Sequence, residues 1–111
     1  MTITVTGRHL TVSAASRRQI EARIRRVQRL LGKSAVSAQC VVWAERDAHV
    51  CELTVHAGGD HRLVGRGRDV LLPASVAAAV AKVAAQAARL KDRWKTRRRA
   101  PGPVTRRVKG A

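Results

Sequence analysis

At 111 residues and 45 % hydrophobic content the chain fits a single domain, and its core must be aliphatic because Phe and Tyr are absent and Trp occurs only at positions 43 and 94. Lysine and arginine total 23 against 7 acids, a net charge of +16 that repels itself in a compact fold unless a polyanion neutralises it; most of these cations are arginine, whose planar fork matches phosphate oxygens. No stretch approaches the roughly 20 apolar residues that span a bilayer, which excludes a helical membrane protein and leaves nucleic acid as the expected polyanion.

The N-terminus, Met-Thr-Ile-Thr-Val-Thr-Gly, has neither the charged n-region nor the apolar h-region of a secretory signal, so a cytoplasmic location is expected, with Cys40 and Cys51 as reduced thiols in the core. Residues 2–6 alternate and are β-branched, which predicts a strand that Gly7 ends. Ser13 or Ser16 caps the helix that follows. Over residues 14–31, Ile20, Ile24, Val27 and Leu31 are spaced 4, 3, 4 and form one apolar stripe, with Gly32 as the stop. The rest of this helix carries Arg17, Arg18, Arg23, Arg25, Arg26 and Arg29 against Glu21 as its one acid. Arg23, Arg26 and Arg29 step by three and make a slanted ridge directed away from the stripe.

Three strands are predicted near residues 36–45, 49–57 and 62–68. With Arg46-Asp47 as a two-residue turn, Cys51 lies opposite Val42, Leu53 opposite Cys40 and Val55 opposite Ala38, which puts one consistent small or apolar face inward. The same register puts Trp43 on the outer face opposite Val50, either packed under a loop or free for contact. Gly58-Gly59-Asp60 is a hairpin loop that allows two registers for the last strand: a two-residue loop sends Val64 inward, whereas a three-residue loop, the favoured reading, sends Leu63 inward and Arg62 and Arg66 outward. Gly65 and Gly67 read as small positions where a helix approaches the strand.

Pro73 suits the first turn of a second helix, in which Val76, Val80, Val83, Ala87, Leu90 and Trp94 recur at 4, 3, 4, 3, 4. Lys82, Arg89 and Arg93 form a second basic line off that stripe. Two such helices on one sheet face are expected to present their basic lines side by side, as a broad positive surface. Residues 95–111 hold seven basic residues, no acid and two prolines, and are read as a disordered tail, or as a helix extension that frays before Pro101. The expected architecture is therefore α+β, a single domain of order β-α-β-β-β-α with a four-stranded sheet and two helices packed on one face. Residues 1–95 form the domain and 96–111 the basic tail.

Catalytic signatures are missing. There is no phosphate-cradling glycine loop, no carboxylate pair set for acid–base work, and both cysteines fall on the apolar side of the strand pairing. His56 and His61 flank one hairpin, but two ligands do not make a metal site. No enzyme activity, no cofactor, no metal and no small-molecule substrate are expected. Trp43 is the one candidate strand-surface aromatic, so base stacking reads as a minor mode beside phosphate contact.

The opening Met-Thr-Ile-Thr-Val-Thr-Gly-Arg-His-Leu-Thr-Val-Ser, the run Arg17, Ile20, Arg23-Ile24, Arg26-Val27, Arg29, and the segment Lys82-Val83-Ala84-Ala85-Gln86 followed by Arg89 together resemble the short ribosome hibernation promoting factors. These are also called ribosome-associated inhibitors or ribosomal subunit interface proteins. The likeness covers roughly residues 1–95 and rests on the order of elements and the placement of charge. It departs at Asp69-Val70-Leu71-Leu72-Pro73, about two residues longer than the family segment and without its Tyr, and at Ala85, where the family has Arg. The basic tail also differs from the acidic tails of some short members. At 111 residues no dimerisation domain like that of the long members is expected.

The resemblance implies docking on 16S rRNA of the small ribosomal subunit, between head and body, where the protein overlaps the mRNA and tRNA sites and keeps the ribosome idle under stress. The rRNA-binding residues expected on that basis are Arg18, Arg23, Arg25, Arg26, Arg29, Lys82, Arg89 and Arg93, with Arg97, Arg98 and Arg99 as candidate tail contacts. Two other readings fit the charge: a general double-stranded RNA-binding protein or RNA chaperone, and an assembly protein for acidic protein partners.

Overall fold

Alternating Thr and Ile/Val residues place β1 (Thr2–Arg8) at one edge of a four-stranded sheet of order β1-β2-β3-β4. The computed structural model describes residues 1–99, with the backbone alone for 97–99. After β1 the chain enters α1 (Ala14–Leu31), turns through a short 3-10 segment at Gly32–Ser34, and returns as β2 (Ala35–Glu45), parallel to β1. β3 (Ala48–Ala57) and β4 (His61–Asp69) follow as antiparallel neighbours, and α2 (Leu72–Arg99) closes the order β-α-β-β-β-α. Residues 100–111, which hold the rest of the expected tail, lie outside the described residues.

The boundaries follow local chemistry. Ser13 caps α1 by accepting from the Ser16 N–H at 3.1 Å. Gly32, at φ 59°, ends the helix while its N–H reaches the Gln28 carbonyl. β1 runs on through Gly7 to Arg8, two residues past the expected end. Gly7 serves this extension because the chain folds back over it: a side chain there would meet the Leu10 carbonyl.

The expected register holds. Cys51 faces Val42, Leu53 faces Cys40 and Val55 faces Ala38, around a two-residue turn in which Arg46 takes φ 56°. Ala57 faces His61, so the Gly58–Asp60 loop has three residues, Leu63 is buried and Val64 exposed. His56 and His61 consequently project to opposite faces: His56 is exposed, whereas the His61 ring meets Trp94 edge-on at 5.9 Å.

One face of the sheet is covered by both helices. Ile20, Ile24, Val27 and Leu31 of α1 and Val76, Val80, Val83, Ala87 and Leu90 of α2 join the inward side chains of the strands in one core. Gly65 and Gly67 let α2 lie almost on β4. A Cβ at Gly65 would stand 2.6 Å from the Ala79 carbonyl oxygen, and one at Gly67 would run into Ser75 O. The Cys40 and Cys51 sulfurs lie 3.4 Å apart in this core as free thiols.

Side chains from the helices fasten both edge strands. Arg17 Nη1 donates to Val5 O at 2.6 Å on β1. On β4, Lys82 Nζ donates to Arg66 O at 2.6 Å, and the Gln86 amide bonds both backbone groups of Val64. The opposite sheet face carries no helix. Its outward side chains line up in cross-strand rows, among them Thr6, Val41, Glu52 and Arg66, and then Arg8, Trp43, Val50 and Arg68.

Candidate nucleic-acid interface

The cations of α1 are placed by helix geometry. Because Ile20, Ile24, Val27 and Leu31 point at the sheet, Arg18, Arg25 and Arg29 are carried to the solvent side, and Arg23 and Arg26 to the flank that faces α2. Arg26 and Arg29, with Leu30, line a shallow groove whose other wall is Ala81, Ala84, Ala85 and Ala88 of α2. Arg23 sits further along the same seam with Ser16, Gln19, Leu72 and Pro73. The alanines keep this wall low, so the guanidinium groups stand above it.

The α2 line lies elsewhere. Arg89 and Arg93 border a second shallow cleft with Leu63, Gln86 and Asp92, on the flank of α2 that overhangs β4. Lys82 is on that same flank, its ammonium drawn to the β4 backbone. The expectation of two adjoining ridges is therefore corrected. The α1 ridge and the α2 line occupy opposite flanks of α2, with its alanine face between them. The cause is the order of the sheet: α1 lies toward β1 and β2, so the flank of α2 over β4 points away from it.

These side chains carry free charge. The two ion pairs among the described residues, Arg66 with Glu52 at 2.9 Å and Arg68 with Glu45 at 3.8 Å, both lie on the helix-free sheet face. Every cation predicted on the helices is exposed, and Glu21 and Asp92 are the only acids on α1 and on α2. Such a surface is suited to polyanions, whose phosphates exposed guanidinium groups can meet without reading sequence. The side chains of Arg97, Arg98 and Arg99 fall outside the described residues.

Sequence reasoning missed the roles of four side chains. Arg17 is spent on the β1 backbone rather than on solvent. Gln86 closes the β4 edge. Arg8 and Arg66 bracket Trp43, with guanidinium carbons 4.7 Å and 5.4 Å from the ring centroid. Strand alternation already sends Arg66 outward, but only the pairing of β1 with β2 sets Arg8 beside Trp43. Among the described residues no cluster of three metal-ligating side chains occurs, and no helix is long and apolar enough to cross a membrane.

Comparison with known proteins bears on this architecture. The profile of the family described as sigma 54 modulation protein / S30EA ribosomal protein matches residues 3–95. Among solved structures, the chain is similar to the N-terminal domain of Protein Y from Thermus thermophilus, at 24 % identity and a TM-score of 0.73, over 81 % of this chain and 99 % of that one. It is also similar to a ribosomal subunit interface protein from Coxiella burnetii, at 18 % identity and a TM-score of 0.74, over 83 % and 99 % of the two chains. At these identities the likeness speaks for the fold. No curated protein matches the chain.

Proposed function

Because the chain belongs to the sigma 54 modulation protein / S30EA ribosomal protein family, we propose that it is a ribosome hibernation factor acting in the cytoplasm. It seats on the small ribosomal subunit, with the exposed arginines of α1 and the basic flank of α2 against 16S rRNA phosphates. Lodged between head and body, it occupies the path of mRNA and tRNA and holds the ribosome idle during stress or stationary phase. No bond is made or broken in this action, so it requires neither cofactor nor catalytic residue.

The observation that carries the reading is the free charge of the helical side. Arg18, Arg23, Arg25, Arg26 and Arg29 project from one helix, none neutralised by a carboxylate among the described residues. The alanine wall of α2 leaves room for a phosphate backbone to approach the ridge. Lys82, Arg89 and Arg93 add a second line one helix-width away, so the two lines suit two separate rRNA segments better than one continuous duplex. Co-sedimentation of the Arg26→Glu, Arg89→Glu double variant with purified small subunits at moderate salt tests this. Release supports the reading, and unchanged co-sedimentation overturns it. Equal binding of the native chain to any RNA duplex would favour a general duplex binder instead.

A further inference from the structure

The helix-free face of the sheet holds a cluster that the helical interface does not use. Trp43 stands outward on β2. Val50, its cross-strand partner, is 2 % exposed although it lies outside the main core. On a face with no helix, Val50 can be covered only by the side chains around it, among which Trp43 is its directly opposed cross-strand neighbour. Arg8 reaches the ring from β1 on one side of β2, and Arg66 from β4 on the other. The indole N–H donates to Glu45 Oε2 at 3.2 Å, which fixes the ring's direction.

The two guanidinium groups are not equivalent. Arg66 is held by Glu52 at 2.9 Å. Arg8 has no carboxylate within ion-pair distance among the described residues and is free to leave the ring. The β1 side of Trp43 is thus the side that opens. There the surface dips into a shallow trough lined by Thr4, Thr6, Arg8, His9, Gln39 and Val41. Hydroxyl, amide, imidazole and guanidinium groups beside an indole are the chemistry that receives an unpaired nucleotide. Such a base would stack on the ring, while its sugar and phosphate would meet the hydroxyl, imidazole and guanidinium groups of the trough.

We infer that this face is a second nucleic-acid contact, a stacking platform on Trp43 for an unpaired base of single-stranded RNA, with Arg8 exchanging from the ring to the phosphate. Single-stranded RNA is favoured over a protein partner because the trough offers hydroxyl, amide, imidazole and guanidinium groups together, and its one guanidinium has no carboxylate partner among the described residues. It is favoured over duplex RNA because a paired base cannot reach the ring. The site is separate from the helical interface and lies on the other side of the sheet.

The test uses the full chain carrying Trp94→Phe, so that Trp43 is the only indole. Titration with a ten-nucleotide oligoadenylate is expected to quench its emission saturably, while inorganic polyphosphate of equal charge, which can draw off Arg8 but has no base to stack, quenches it far less. Trp43→Leu, read by anisotropy of a labelled oligonucleotide, is expected to weaken binding about tenfold, the scale of one lost base stack. Arg8→Gln leaves the ring in place and is expected to weaken binding severalfold, which keeps the test open if Trp43→Leu fails to fold. The Arg26→Glu, Arg89→Glu double variant is expected to retain the quench. Absence of quenching, equal quenching by polyphosphate, or loss of the quench in the double variant would each overturn the platform without touching the ribosome reading.

Discussion

Gln86 of α2 treats Val64 of β4 as a neighbouring strand would: its amide oxygen accepts from the Val64 N–H at 3.2 Å and its NH2 donates to the Val64 carbonyl at 2.7 Å. An exposed strand edge invites pairing with another chain, and here a helix side chain occupies it. Gln86→Ala is therefore expected to cost about 1 kcal/mol, because water replaces both bonds imperfectly. Urea unfolding measures the loss, and hydrogen exchange at the Val64 amide should quicken. An unchanged exchange rate would show that the amide pair does not protect the edge.

Gly67 carries the close approach of α2 to β4. A Cβ at this position meets Ser75 O, stands 2.7 Å from Ala79 N and 2.8 Å from Ala78 Cβ, and two of these three neighbours are helix backbone that cannot swing aside. Gly67→Ala should destabilise the fold by about 2–3 kcal/mol, at the upper end of overpacking costs. The same change at Gly58, where the nearest atom to a Cβ is 3.8 Å away, should cost far less. A comparison of the two melting temperatures checks the contrast, and equal losses would refute it.

Much of this architecture is legible in the residues because it is local. The 4, 3, 4 spacing of Ile20, Ile24, Val27 and Leu31 gives α1, and Ser13 and Gly32 mark its ends. The alternation of Cys51, Leu53 and Val55 sets the β2–β3 register once Arg46-Asp47 is taken as the turn. What stays hidden depends on partners distant in sequence. Which flank of α2 faces α1 follows from the order of the sheet, and so the two basic lines fall apart rather than together. The meeting of Arg8 with Trp43 needs β1 laid beside β2, and the use of Arg17 and Lys82 as backbone donors needs the helices docked. Long side chains obey tertiary neighbours, not spacing.

The buried Cys51 thiol should make stability fall in alkali. The hydrogen bond shared with Cys40, together with burial, pushes the Cys51 thiol well above its ordinary value. The folded chain then keeps a proton that the unfolded chain loses above the ordinary thiol pKa of about 8.5. Fewer protons on the unfolded state means that stability declines as pH rises, by about 1.4 kcal/mol per unit for this one group. Denaturant unfolding between pH 8 and pH 10 should show the decline, and Cys51→Ala should remove the Cys51 share. At pH 8 neither thiol should react with iodoacetamide until the protein is unfolded; fast native-state labelling would contradict the burial.

Salt dependence separates the two basic lines of the proposed interface. Each phosphate neutralised on duplex nucleic acid releases counterions and adds about 0.9 to the slope of log affinity against log salt. If Arg23, Arg26 and Arg29 each meet a phosphate, changing all three to Gln should lower that slope by two to three units, as about 0.9 per contact requires. It should also weaken small-subunit binding by at least about tenfold at physiological salt. Arg89→Gln with Arg93→Gln should remove a further, smaller share, because Lys82 on that flank is already drawn to Arg66 O. Arg46→Gln, in the exposed β2–β3 turn and on neither helix, should leave the slope unchanged. The α1 triple variant decides the matter: a slope equal to that of the native chain would mean that the ridge lies in the field of the ribosome without touching its phosphates, and the seat would have to be sought on another face.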